Sequence, residues 1–141
     1  MTTIATDGKS MAGDSMVTGN GIVHSTSFLK VRRISGGRIV GASGSAYAFD
    51  RFIEWLETAD MPNPKLPEHF EALVLLPDGS CRCFDEDCAS YIQETPAITG
   101  SGGAIALGAM LAGATPAQAV AIAAQRDMGT GGTITVETLG N

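Results

Sequence analysis

The sequence predicts an α+β fold in which two antiparallel sheets pack together with helices outside, a four-layer αββα arrangement. Segments of strand character come in pairs joined by glycine turns. The hydrophobic period changes to that of a helix only from Ala46 and again after Gly100. The resulting order is strand pairs, one helix, strand pairs, two helices and a last strand, and the layering would bury the apolar faces of all of them. Periodicity supplies these elements and leaves their topology open.

Ile4 to Asp14 reads as a hairpin, with Asp7-Gly8 as a tight turn that tolerates positive φ. Gly19-Asn20-Gly21 marks a second turn. Phe28 to Ser35 and Arg38 to Ala42 form a strand pair around Gly36-Gly37, and their mixed alternation leaves one face not wholly apolar. From Ala46, Phe49, Phe52, Ile53 and Leu56 fall at i, i+3, i+4 and i+7, the stripe of an amphipathic helix. The prolines of Met61 to Pro67 end it in a loop, because each disfavours helix at the residue before it.

Phe70 to Leu76 is an apolar strand, Pro77 to Ser80 a turn and Cys81 to Phe84 the return strand. Ala97 to Thr99 is a short strand that runs into Gly100-Ser101-Gly102-Gly103 and a small-residue helix from about Ala104 to Leu111. Thr115-Pro116-Ala117-Gln118 has capping-box spacing with proline at the first helical position, and opens a helix to about Arg126. Thr133 to Leu139 alternates as a last strand.

At 141 residues the chain fits a single domain, 1–141. A domain of that size buries about 68–70% of its unfolded surface. Apolar residues at 44% and charged ones at 17% are globular composition rather than disorder. A net charge of −6 argues against nucleic acid as a partner, since phosphate binding draws on clustered Lys and Arg. The chain has no apolar run of the roughly 18 residues that a bilayer requires. Its first residues lack the basic and apolar regions of a signal peptide, so a cytoplasmic location is expected. Cys81, Cys83 and Cys88 form neither a disulfide framework, being odd in number, nor a zinc signature, lacking a nearby fourth ligand. They read as structural thiols.

The second residue is threonine, and a small residue there suits removal of Met1. An N-terminal threonine combines a hydroxyl nucleophile with an α-amine of pKa near about 8 that can serve as its base. Alone this says little. It is followed, however, by Ala12-Gly13-Asp14, by Lys30-Val31-Arg32-Arg33, and by a Gly/Ser-rich turn, Gly41 to Ser45, that leads into an aromatic-rich helix. In order and approximate spacing this resembles HslV and the proteasome β-subunits. Ile98 to Gly103 is similar to the Gly-Ser-Gly-Gly turn of that family. Arg126-Asp127-Met128-Gly129-Thr130-Gly131-Gly132 resembles its Arg-Asp-x-x-Ser-Gly-Gly segment, with threonine for serine. The resemblance covers Thr2 to Leu139, and its weight lies in several weak motifs standing in register.

The resemblance implies the N-terminal-nucleophile hydrolase fold and threonine-type hydrolysis of peptides, without cofactor or metal. Thr2 would attack through Oγ1 while its own α-amine takes the proton through a water. Lys30 would disfavour protonation of that amine, and Asp14 would hold Lys30 charged and in place. Gly41 would give the oxyanion-hole N–H, with Gly44 as the second choice at a loosely aligned turn; such a donor is worth about 2.7–4 kcal/mol. Ser101, Asp127 and Thr130 would surround the Thr2 amine. The implied partners are unfolded polypeptide, copies of the same chain in a ring, and an ATP-dependent unfoldase. The family has a second helix after the one ending near Glu57, where this chain has only the proline-rich loop, so ring size stays open.

Rival motifs are incomplete. Gly100 to Gly103 lacks the third small position of a dinucleotide fingerprint, which is Ile105, and Gly41 to Ser45 ends in serine where a nucleophile elbow needs glycine. His24 and His69 have no triad context. An amidase of the same fold acting on a small amide, or a silent scaffold, remain the alternatives.

Overall fold

The structure, a computed structural model, describes residues 2–140. Strands β1 (Ile4–Thr6) and β2 (Ser10–Gly13) form the first hairpin. Asp7 closes its turn by accepting from the N–H groups of Lys9 and Ser10 at 2.8 and 2.9 Å, and Gly8 takes φ +91°. A second hairpin, β3 (Val17–Gly19) with β4 (Ile22–Ser25), stands apart from both larger sheets.

Next come β5 (Val31–Ile34), β6 (Arg38–Ser43), β7 (Glu71–Leu75), β8 (Cys81–Phe84) and β9 (Ser90–Gln93), paired in chain order as one antiparallel five-stranded sheet. The last two strands are β10 (Ala97–Thr99) and β11 (Thr135–Thr138). They flank the first hairpin, giving an antiparallel sheet in the order β10-β1-β2-β11. The helices are α1 (Ala46–Glu57), α2 (Gly103–Leu111) and α3 (Pro116–Ala124). Ser45 caps α1 and accepts from the Ala48 N–H, and Thr115 with Gln118 makes the reciprocal capping box of α3. Among the described residues no helix is long and apolar enough to cross a membrane.

The expected elements are present with shifted ends. Strand pairing begins at Val31 rather than Phe28 and at Glu71 rather than Phe70; α3 ends two residues before Arg126, and β11 spans only Thr135–Thr138. Strand β9 was not expected. It is an edge strand with Tyr91 and Ile92 exposed, so its residues carry no apolar alternation to read.

Strand alternation sorts the core into three groups. Ile4 and Met11 pack on Val31, Ile39, Leu73 and Leu75, between the two sheets. Ala5 and Ala12, on the other face of the first hairpin, meet Ala106, Met110, Ala119 and Val120 of α2 and α3, where small side chains let the helices lie close. Val40, Ala42, Ala72 and Val74, on the far face of the five-stranded sheet, meet Phe49 and Phe52 of α1 and Phe70.

The cysteines are free and buried, and burial pushes the Cys81 thiol up to about 12 and that of Cys83 up to about 11. Neither is a thiolate nucleophile at neutral pH. Phe52 is fully buried, with its ring 5.2 to 5.9 Å from those of Phe84, Phe70 and Trp55. Phe52→Ala is expected to lower unfolding free energy by about 3–5 kcal/mol in a denaturant titration, and Phe52→Leu by clearly less, because the cavity is smaller.

Candidate active site

Thr2 enters β1 at an end of the seam between the two sheets. The Gly102 N–H donates to its carbonyl at 3.1 Å, and the Thr2 N–H donates to Ser101 Oγ, also at 3.1 Å. The glycines around Ser101 are there for lack of room. A Cβ on Gly100, which holds φ +99°, would stand 2.1 Å from the Thr2 carbonyl oxygen, and one on Gly102 would stand 2.0 Å from Thr3 Oγ1. Ser43 Oγ and Thr99 Oγ1, 2.8 Å apart, tie the end of β6 to the end of β10 nearby, joining the sheets.

Asp14 follows β2 directly and is 1% exposed. Its Oδ1 accepts from the Thr3 N–H and from Lys30 Nζ, both at 3.1 Å. Its Oδ2 accepts from Lys30 Nζ at 3.0 Å, from the Gly131 N–H at 3.1 Å and more weakly from the Met16 N–H at 3.4 Å. Lys30, one residue before β5 and 7% exposed, also reaches Thr2 Oγ1 at 3.1 Å. Burial draws the Lys30 ammonium below its ordinary 10.5, and the charge and hydrogen bonds of Asp14 oppose that shift.

A chain of hydroxyls stands on the other side of Thr2. Ser101 Oγ donates to Asp127 Oδ2 at 2.7 Å, Thr130 Oγ1 donates to the same oxygen, and Thr130 Oγ1 lies 2.6 Å from Thr3 Oγ1. Burial alone would raise the Asp127 carboxyl, but the bonds from Thr130 and Ser101 hold it below its ordinary value.

The structure therefore brings together Thr2, Asp14, Lys30, Ser101, Asp127 and Thr130. Gly41 is a correction. It lies inside β6, between β5 and β7, where a Cβ would press on Ile4 and Met11 at 2.8 Å each. The Ala42 N–H bonds the Lys30 carbonyl, so strand alternation turns the Gly41 N–H toward β7 and away from Thr2. Gly44 is the glycine beside Thr2. It holds φ +111°, with the Phe70 backbone 3.2 Å from where its Cβ would be.

Two clefts meet at Thr2 and Gly44. One, of about 300 Å³, is bounded also by Lys30, Ala42, Phe28 and Phe49. The other, of about 440 Å³, runs past Ser101 toward Glu71 and Asp85. Among the described residues, no three His, Cys, Asp or Glu side chains are grouped to hold a metal ion. His24 sits on β4 in the projecting hairpin, and His69 is exposed beside Glu68 at 3.7 Å. Sequence reasoning missed Thr3, which gives Asp14 its N–H and Thr130 its hydroxyl contact, and the Gly131 N–H. A backbone donor leaves no mark in a sequence, whereas the spacing of Gly100 and Gly102 about Ser101 signals close approach of another chain segment.

No protein-family model and no curated protein matches the sequence. Solved structures do match. HslV from Trypanosoma brucei superposes with a TM-score of 0.76 at 22% identity, covering 99% of each chain. BPH of Thiobacillus denitrificans gives 0.74 at 20% identity, over 99% of this chain and 98% of that one. The same protein in complex with epoxomicin gives 0.72 at 18%, over 99% of each. The chain thus has the HslV-type fold, with mixed helices and antiparallel sheets.

The stability that Asp127 contributes through its hydrogen bonds is full above its ordinary value of 3.8 and fades as pH falls through its depressed folded-state value. The stability gap between wild type and Asp127→Asn should therefore be open at pH 7 and close as pH drops below about 3.8, measured by denaturant titration across pH. A gap unchanged down to pH 3 would mean that the two hydroxyls do not hold the carboxylate.

Proposed function

We propose that the chain is a threonine-type endopeptidase, a single domain of the N-terminal-nucleophile hydrolase class, in which Thr2 is the nucleophile once Met1 is removed. One observation carries this reading: Lys30 Nζ lies 3.1 Å from Thr2 Oγ1 while the Thr2 nitrogen lies 3.1 Å from Ser101, so hydroxyl, nitrogen and a buried cation share one site. The three core groups, with helices on the outer two and the sheet seam between them, favour the four-layer αββα order of that class.

The chemistry follows from the geometry. Thr2 Oγ1 adds to the scissile carbonyl carbon, and its proton passes through a water to the freed α-amine. The neighbouring Lys30 ammonium disfavours prior protonation of that amine, which keeps it a base. The Gly44 N–H, in place of Gly41, receives the oxyanion. Collapse breaks the C–N bond, the α-ammonium returns the proton to the leaving amine, and an ester on Thr2 remains. Water then attacks the ester with the same amine as base, releasing the acid and restoring Thr2. The balance needs no metal or cofactor.

The substrate proposed is unfolded polypeptide, whose side chain before the scissile bond enters the cleft of about 300 Å³. The likeness to HslV supports a ring of identical copies; the proposal adds that the ring is cytoplasmic and fed by an ATP-dependent unfoldase.

Intact-protein mass spectrometry with a peptide epoxyketone tests this. The reagent closes its ring only on a residue that carries both a hydroxyl and a free α-amine. The expected result is loss of Met1 and one adduct, absent in Thr2→Ala. Lys30→Met should lower kcat/KM by about 100-fold or more while the protein stays folded. Retained Met1 with no adduct, in protein from its native host, would overturn the reading in favour of a scaffold.

A further inference from the structure

Arg32 makes a set of contacts that the chemistry at Thr2 does not use. On β5 it stands opposite Val40, so its side chain leaves the sheet on the same face as Val40, the one turned to α1. Its guanidinium carbon is 4.6 Å from the centroid of the Phe49 ring on α1 and 5.2 Å from that of Phe28, in the segment between β4 and β5. Its Nε donates to the Leu29 carbonyl at 2.9 Å and its Nη1 to Asp50 Oδ1 at 2.7 Å. The plane of the group is thereby fixed at two points against two rings, and both rings bound the smaller cleft beside Thr2.

The two walls are not held alike. Phe49 belongs to a helix and is buried in the core with Phe52 and Phe70. Phe28 lies outside any strand or helix, is only partly buried, and has its N–H bonded to the Ser15 carbonyl at 3.0 Å. Asp50 is 68% exposed, so its ion pair with Arg32 adds little by itself. What remains is the stacking of a planar cation on both rings.

We propose that Arg32 is a positioning residue for substrate selection: it latches Phe28 to Phe49 and so sets the width of the cleft that takes the side chain before the scissile bond. The inference rests on the threonine-peptidase reading. It deepens that reading by assigning an apolar preference to walls formed by Phe28, Phe49 and Ala42, with Arg32 acting from behind them and touching no substrate.

The test is a set of fluorogenic peptides identical except for Ala, Leu or Phe before the scissile bond, cleaved by wild type, Arg32→Met and Arg32→Lys, with melting temperatures recorded for all three. Wild type should prefer one of the larger apolar residues over Ala. In Arg32→Met that preference, as a ratio of kcat/KM values, should fall by about three- to tenfold, with the loss in KM. Arg32→Lys, which keeps the charge without the plane or the fork, should lose the preference too. An unmoved ratio, an equal fall for every peptide, or full retention by Arg32→Lys would overturn the assignment while leaving the peptidase reading intact. A wild type that cleaves no peptide and takes no epoxyketone adduct would overturn both.

Discussion

The buried pair of Asp14 and Lys30 is the constraint around which the rest of this end of the molecule is arranged. Taking a carboxylate and an ammonium out of water costs several kcal/mol per ion, and mutual attraction offsets this only when the remaining lone pairs are satisfied. Asp14 meets that condition with backbone donors from two separate segments, Thr3 on the approach to β1 and Gly131 before β11, besides Lys30. One side chain therefore fixes three stretches of chain to each other, and Thr2 is one peptide bond from the first of them. The location of Thr2 follows from the need to solvate a buried charge.

That arrangement needs backbone to approach backbone more closely than side chains allow, which explains the glycines. Gly13 opposes Ile4 across the first hairpin, and a Cβ there would stand 2.8 Å from Ile4 Cδ1 and 2.7 Å from Val31 Cγ2. Gly41 makes the matching allowance on the other sheet, beneath Ile4 and Met11. Both glycines let the sheets close on one another along the seam. Gly100 and Gly102 do the same for the segment that covers Thr2 and Thr3. The similar look of Gly41 and Gly44 in the sequence hides opposite duties: one is packing inside a ladder, the other lies at the mouth of two clefts with a positive φ.

The sequence was most legible where local chemistry dictates local structure. Asp7-Gly8, the stripe of Phe49, Phe52 and Leu56, and Thr115 with Gln118 each announce an element whose cause lies within a few residues. The site was legible only through the resemblance of spaced motifs, because Thr2, Asp14, Lys30 and Asp127 are far apart in the chain and no periodicity relates them. Two further features left no mark in the sequence. Strand β9 is exposed at a sheet edge, so its pairing comes from the strand beside it and not from its own pattern. The direction of the Gly41 N–H depends on which neighbour β6 pairs with at that point, and a single strand does not encode that.

The hydroxyl chain beyond Thr2 has a direction that follows from counting protons. Asp127, with its carboxyl held below the ordinary range, is an acceptor only. It takes the proton of Ser101 and the proton of Thr130 on the same oxygen. With its one proton committed, Thr130 can only accept in its contact with Thr3, so Thr3 donates. Ser101 is likewise left with lone pairs alone, which is why it accepts from the Thr2 nitrogen. On the threonine-nucleophile reading this polarity matters more than the distances. A freed α-amine at that nitrogen would give one hydrogen to Ser101 and keep its lone pair for the proton of Oγ1. A chain running the other way would offer the amine a donor, occupy the lone pair and remove the base.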